Sequence, residues 1–526
     1  MQQTPSSKRL YVTAVFLAFV VLYFVCSFAI RGPFARDCLF GASQFQPWGV
    51  VPFLAICLPL LSVPFVTEKI RDWSRRASGS SVRAWSHRPI ATLLMFLVAT
   101  SACFLLRNNT LNPDALAFAG KFAQDVPARG AHLTHDEILE LYVHSRFWAI
   151  THAWFGWDVT LSYQVLSALA GGIFFCMLFR YCRAIGGGQA GILFWLVASG
   201  GFVQLFFGDV ENYTLTSVWL LGYLFSSALH VRGACGPVLP CMCLGTAMMF
   251  HLLSGFMLPS LAYLLQRDWR QGNRTRVAVA AIAVVAIPAA TLAWFHFNGL
   301  PIQRLFYNSH AFGHGGNIIG MLVRPSLEYY AAVVNLAFLL MPVASLVPLG
   351  FYRTACFRDP LVRHLAVASA MMVIYMCAWN AQLGVYEDWN LFANAALPVS
   401  ILGALCAVEA MGRKSRVALI PLAIVWSLHT GTWIVGNHHY RYYVGRTLQA
   451  HVAILERDGT IRQAAGYCGT IQRIDAKRGI LLTTTAGDIQ LPADMGGLKK
   501  KPRKCLCLGS TGEEADFTAS WIGRPY

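Results

Sequence analysis

The chain has 526 residues, of which 56% are hydrophobic and only 13% charged, and that balance excludes a water-soluble globule. The formal net charge of +17 would point to nucleic acid in a soluble protein. Here Lys and Arg gather in short connections between apolar runs, which is the positive-inside pattern of an integral membrane protein. Most of the 15 cysteines, Cys26, Cys57, Cys103, Cys176 and Cys241 among them, fall inside apolar runs, where a thiol behaves as a small hydrophobe. They give no disulfide framework.

The first apolar run, 10–30, is too long for a signal-peptide core and is followed by bulky residues, so it reads as a retained transmembrane helix. Stretches of spanning length follow near 49–66, 91–106, 160–181, 189–207, 213–230, 277–297, 330–352, 364–380, 391–411 and 417–436. Residues 237–265 are too many for one upright helix and too few for two ordinary ones. They read as a hairpin of two short helices with its tip at His251. The expected fold is an all-α polytopic transmembrane bundle of about thirteen spans, followed by a small β-rich domain.

Orientation follows from the basic connections. Lys69, Arg71, Arg75, Arg76, Arg83 and Arg88 crowd one; Arg267, Arg270, Arg274 and Arg276 crowd a second; Arg353, Arg358 and Arg363, then Arg413, Lys414 and Arg416, crowd two more. These are read as cytoplasmic. Three regions result: residues 1–90, two helices and a basic loop; 91–436, a transmembrane core with external loops 107–159 and 298–329; and 437–526, an extracytoplasmic appendage. In the appendage, the run from Gly469 to Leu491 alternates like short strands separated by turns. Cys468, Cys505 and Cys507 would form one disulfide there, leaving an odd thiol, or stay unpaired.

On this topology the acids and histidines share one mouth of the bundle. Charge near hydrocarbon is expensive and is normally kept for a function. Asp114 follows a span closely and opens a segment whose apolar residues fit a helix lying along the membrane surface. There it is either a partly desolvated general base or a helix cap. Further along the loop, Thr134 and Glu137 have the spacing of a capping box, while Asp136, Glu140 and His144 would share one helix face. That face would hold a metal, orient a sugar, or be merely solvated.

Asp209, Glu211, Asn212 and Tyr213 crowd a short turn between apolar spans, where buried polar groups need partners. His251 at a re-entrant tip needs protein or a wet cavity around it. Glu387, Asp388 and Trp389 suit a sugar, with carboxylates for hydroxyls and an indole for the C–H face; Trp389 equally suits the interfacial aromatic belt. The loop with Arg304, His310 and His314 supplies cations and flexible glycines suited to a phosphate leaving group, but it has no Walker spacing.

Three patterns carry a resemblance to a known family. Asp114-Ala115-Leu116-Ala117-Phe118-Ala119 opens an external loop helix with an acid. The same loop closes on Trp154-Phe155-Gly156-Trp157-Asp158. The run from Leu244 through His251 to Leu258-Pro259 forms a short hairpin. Together they resemble the GT-C superfamily of membrane glycosyltransferases, of the protein O-mannosyltransferase and aminoarabinose-transferase type, over about residues 91–436. The chain departs from that pattern in having no second acid beside Asp114, and in having His135-Asp136-Glu137 where a proline pair is usual.

The resemblance implies transfer of a hexosyl or pentosyl group from a polyprenyl-phosphate donor to a hydroxyl of a glycan, lipid or protein acceptor, with inversion, on the extracytoplasmic face of a bacterial inner membrane. It implies Asp114, Asp136 and Glu137 as catalytic candidates. His144, Glu211, Asn212, Tyr213, His251, Arg304, His310, His314, Glu387, Asp388 and Trp389 would be substrate-binding. No cofactor is expected, since no ligand spacing supports a divalent metal, and no nucleic acid partner. The rival reading is a polytopic transporter or flippase of envelope glycan precursors, against which the acids lie at helix ends and not at mid-bilayer.

Overall fold

The computed structural model describes residues 5–29, 89–109, 113–134, 136–302, 326–352, 356–379, 385, 388–411, 416–438, 469–475, 479–484, 487–491 and 505–506. The chain is an integral membrane protein, because six of its described helices are long and apolar enough to cross a membrane, or seven if one bent pair counts as a single span. The expected span at 49–66 and the loop cations Arg304, His310 and His314 lie outside the described residues.

In chain order the helices are α1 (Pro5–Ala29), α2 (Pro89–Leu105), α3 (Pro113–Arg129), α4 (Ile138–Phe155), α5 (Val159–Gly186), α6 (Ala190–Ala198) and α7 (Thr214–Val231). They continue as α8 (Val238–Phe250), α9 (Leu258–Arg270), α10 (Arg274–Phe297), α11 (Leu327–Leu340), α12 (Pro360–Ala378), α13 (Trp389–Ala410) and α14 (Leu419–His438). Their ends follow local chemistry. Asp158 caps α5 by accepting from the Leu161 N–H at 2.7 Å, and Asp359 with Pro360 opens α12, its carboxylate accepting from Leu361 N–H at 2.8 Å.

The central helix is α13, apolar around its whole circumference and wholly surrounded by protein, as such a pattern requires. A 3₁₀ segment, Pro342–Tyr352, crosses it so closely that a Cβ on Gly403 would stand 2.3 Å from the Val343 carbonyl oxygen. At the opposite extreme α10 is buried over only 11% of its spanning window, leaving Val279, Ile282 and Val285 exposed on a lipid-facing flank. Between helices in lipid, close packing and hydrogen bonds replace the hydrophobic drive, at about 0.6 kcal/mol per bond on average. The bundle uses Ser167 Oγ to Leu205 O at 2.7 Å, Thr430 Oγ1 to Ser199 O at 2.7 Å, Tyr223 with Ser260 at 2.7 Å, and Trp195 to Ser427 at 2.9 Å.

Two expected spans are broken. The 189–207 stretch is α6 followed, past the extended Gly200, by a 3₁₀ turn Gly201–Phe206, whose backbone would leave no room for a Cβ at Gly201 against Leu339 O. The 330–352 stretch bends by 90° between α11 and the 3₁₀ segment, where Pro342 and Pro348 deny the helix its donors. The 237–265 stretch is α8, an extended His251, a 3₁₀ turn Leu252–Met257, and α9. Helices of 13 residues are too short to cross alone.

One end of the bundle is basic, and its cations bind helix C-terminal carbonyls that have no partner within their own helix. Lys8 Nζ donates to Ala410 O at 3.1 Å, Arg232 to Ile185 O at 3.1 Å, and Arg416 to Val408 O at 2.8 Å. The opposite end is roofed by α3 and α4. Phe118, Phe122 and Val126, one turn apart along α3, bury against Leu141, Tyr163 and Val210. Asp114 occupies that same register one turn earlier. It lies inside the first turn of α3 and not at the capping position; its side chain is outside what the structure describes.

Beyond the bundle, β1 (Gly469–Asp475), β2 (Gly479–Thr484), β3 (Gly487–Leu491) and β4 (Cys505–Leu506) form an antiparallel sheet in the order β3-β2-β1-β4. Thr470 pairs with Thr483 and Leu481 with Gln490. Cys468 and Cys507 lie outside the described residues.

Candidate functional site

The roofed mouth collects the ends of α2, α8 and α14 and the starts of α7 and α13. Its floor is tied together by the backbone. Asn108 N–H donates to Phe207 O at 2.6 Å, Asn109 N–H to Asn437 O at 3.1 Å, and Leu252 N–H to Asp136 O at 2.9 Å. The tip of the α8–α9 hairpin is thereby docked directly on the residue preceding Glu137.

Glu137 does not form the expected capping box. It stands at the N-cap position of α4 without a side-chain cap bond, and the Thr134 hydroxyl finds no partner among the described residues. Its carboxylate turns into the mouth instead, where Asn212 Nδ2 donates to Oε2 at 3.0 Å. The orientation of the Asn212 amide follows from its other contact, because Tyr163 OH donates to Oδ1 at 3.0 Å. On the second oxygen, His251 Nε2 stands 3.7 Å from Oε1. His251 Nδ1 accepts from Leu253 N–H at 3.1 Å, so the ring proton sits on Nε2 and faces the carboxylate. The imidazole also stacks on Tyr213, centroids 5.1 Å apart.

One turn along α4 is Glu140, fully buried. Its carboxylate receives Leu215 N–H at 3.0 Å, Thr216 N–H at 3.0 Å and the Thr216 hydroxyl at 2.9 Å. His144 follows one further turn on, its Nε2 3.5 Å from Glu140 Oε1 and its ring stacked on Tyr163 at 3.8 Å. Asp136 precedes the helix, so the expected shared face of Asp136, Glu140 and His144 reduces to the latter pair. Among the described residues no group of three or more His, Cys, Asp or Glu is arranged to hold a metal ion.

The turn before α7 is the second acidic element. Gly208 takes a positive φ of 68°, where a side chain would also collide with Arg107 Cβ at 2.6 Å. The turn delivers Asp209 to Asn108, whose Nδ2 donates to Oδ1 at 3.2 Å. Burial pushes the Asp209 carboxyl up to about 7, the Asn108 bond opposing it. Glu211 and Tyr213 are buried beside it. Burial, then the charges of Glu137, Glu211 and Asp388, hold the Tyr213 phenol well above its usual range.

The mouth therefore unites Asp136, Glu137, Glu211, Asn212, Tyr213, His251 and Asp388, with His144 joined through Tyr163. Trp389 begins α13 and packs edge-on against Trp433 at 4.7 Å. Glu387, Arg304, His310 and His314 lie outside the described residues. Tyr163 and Asn108 belong to the network without any sequence signal, since each reads as an ordinary residue at a span end.

Fold and site together define an integral membrane protein whose one mouth, roofed by α3 and α4, holds a buried network of acids, amide and imidazole. No protein-family model matches the sequence, and no curated protein matches it. Among solved structures the chain is similar to ArnT from Cupriavidus metallidurans in the apo state, at a TM-score of 0.45 and 13% identity over 73% of this chain and 82% of that one. It is similar to ArnT bound to undecaprenyl phosphate at 0.45 and 13%, over 82% and 87%. The apo oligosaccharyltransferase of Archaeoglobus fulgidus follows at 0.39 and 12%, over 65% of this chain and 56% of that one. At such identities the roles of individual residues rest on the contacts described above.

Proposed function

We propose that the chain is a membrane glycosyltransferase that moves a sugar from a polyprenyl-phosphate donor to an acceptor hydroxyl on the extracytoplasmic side, with inversion. The observation that carries this reading is the Tyr163–Asn212–Glu137–His251 network at the roofed mouth. Oriented, buried polar groups at a membrane boundary suit a substrate that is polar at one end and lipid at the other.

Glu137 has Asn212 Nδ2 bound to one oxygen and His251 Nε2 facing the other, and it is assigned a binding role. It holds sugar hydroxyls and positions His251. Asp114, on the same α3 register as Phe118, is assigned the base. It removes the acceptor hydroxyl proton as the oxygen attacks the anomeric carbon. The anomeric C–O bond breaks, and its electron pair leaves with the polyprenyl phosphate. Arg304, His310 and His314 are assigned to that phosphate. The remaining carboxylates, Asp136, Glu211, Glu387 and Asp388, hold sugar or acceptor with Asn212, Tyr213, His144 and Trp389. The basic end of the bundle is assigned to the cytoplasm of a bacterial inner membrane, which sets the mouth and the β-sheet in the periplasm.

The test is sugar release from a panel of radiolabelled polyprenyl-phosphate sugars by purified protein in nanodiscs. Transfer or slow hydrolysis by wild type, abolished in Asp114→Asn, is the expected result. Full activity of Asp114→Asn would assign the base to Asp136 or Glu137, and no turnover of any donor by folded wild type would refute the reading.

A further inference from the structure

Glu140 has no role in the chemistry proposed above, yet its carboxylate is held by three close donors. It is fully buried on α4, and its bonds go to another element: the second and third N–H groups of α7, from Leu215 and Thr216, and the Thr216 hydroxyl. Tyr213, at the N-cap position of α7, supplies no side-chain cap. The unpaired donors at the start of α7 are thus satisfied by a charge from a different helix, and a carboxylate suits that end of the helix dipole.

This bond fixes two things at once. It sets the register of α4 against α7, and so the meeting of Glu137, one turn before Glu140, with Asn212, just before α7 begins. Because Leu252 N–H is bound to Asp136 O, the hairpin tip and His251 are fixed through the same joint. We infer that Glu140 is a positioning residue that locks the loop helix, the start of α7 and the His251 tip into one rigid site. The catalytic part of this inference rests on the glycosyltransferase reading; the mechanical part does not.

Two variants and a matched control test it. Glu140→Gln keeps the shape but turns an amide N–H₂ toward backbone donors, and Thr216→Val removes one hydroxyl donor. Asp158→Ala removes another helix-capping carboxylate, at the far end of α4, where it binds Leu161 N–H. In the donor assay, Glu140→Gln should lose kcat about 10²-fold with KM changed less than about threefold, the pattern of misplaced catalytic groups. Thr216→Val should lose about tenfold, and the double variant no more than Glu140→Gln alone, since neighbouring groups of one joint are not additive. Asp158→Ala should retain kcat.

Amide exchange gives a readout independent of turnover. Glu140→Gln should speed exchange at Leu252 about tenfold or more, although that amide touches Asp136 and not Glu140, whereas Asp158→Ala should leave it unchanged. Unchanged kcat in Glu140→Gln, an equal loss in Asp158→Ala, or faster exchange confined to residues 213–217 would each overturn the inference, reducing Glu140 to a local cap. Failure of wild type to turn over any donor would remove the glycosyltransferase reading alone, and exchange at Leu252 would still decide the mechanical part.

Discussion

His251 Nε2 faces Glu137 Oε1 at 3.7 Å, and it does so as the protonated nitrogen because Nδ1 is already bound by Leu253 N–H. The tautomer is set by a backbone amide of the turn that follows, so the hairpin carries its own means of aiming the imidazole.

Replacing that imidazole separates aim from shape. His251→Asn is able to keep an acceptor for Leu253 N–H but presents no ring N–H to Glu137. Glycosyl transfer should fall about 10²-fold, as for loss of one oriented polar group in an enzyme site. The thermal midpoint should move by only a few degrees. Steady-state kinetics with the donor panel and a thermal melt in detergent check both.

Asp209 gives a pH signature. Its carboxyl is raised from 3.8 to about 7 by burial, so between those values the folded state holds a proton that the unfolded state has released. Stability from this group is therefore full below about pH 4, declines as pH rises toward 7, and is level above. Asp209→Asn, which cannot ionise, should abolish that slope and should melt at a higher temperature than wild type at pH 8. Melting curves from pH 4 to 8 read this directly.

Tyr163→Phe leaves the Asn212 carbonyl buried without its 3.0 Å donor. An unsatisfied buried polar group costs ~1–3 kcal/mol. The expected loss of stability should be accompanied by weaker transfer, because the freed amide no longer holds Glu137. Asn212→Ala removes both bonds and should lower transfer further, measured in the same assay.

Gly403→Ala tests the central packing. The added methyl would stand 2.3 Å from Val343 O, which belongs to backbone, so either α13 or the 3₁₀ segment must shift. Overpacking of this kind costs ~1–3 kcal/mol, visible as a lowered melting temperature and a poorer yield of folded protein.

The gathering of polar residues at one mouth was legible because each interrupts or bounds an apolar run, where membrane physics leaves few alternatives. The reversal at His251 was legible for the same reason. The partner of Glu137 was not. Thr134 and Glu137 have the right local spacing for a capping box, but Asn212, 75 residues away, offers a buried and oriented donor, and tertiary contact overrode the local signal. Tyr163 was invisible because a tyrosine one turn into a span looks like core, and only the three-dimensional approach of Asn212 gives its hydroxyl a task. The broken spans were missed because hydropathy records apolar length and says nothing of direction.

The end of α14 closes over the start of the loop that follows α2: Asn437 O receives Asn109 N–H, His438 O receives the Asn109 side chain at 2.7 Å, and His438 Nδ1 donates to Arg107 O at 2.9 Å. Helix α14 is thus the anchor post for a loop rooted more than 300 residues earlier in the chain. A truncation or fusion made upstream of residue 437 would act as a mutation of the loop on which Asp114 stands.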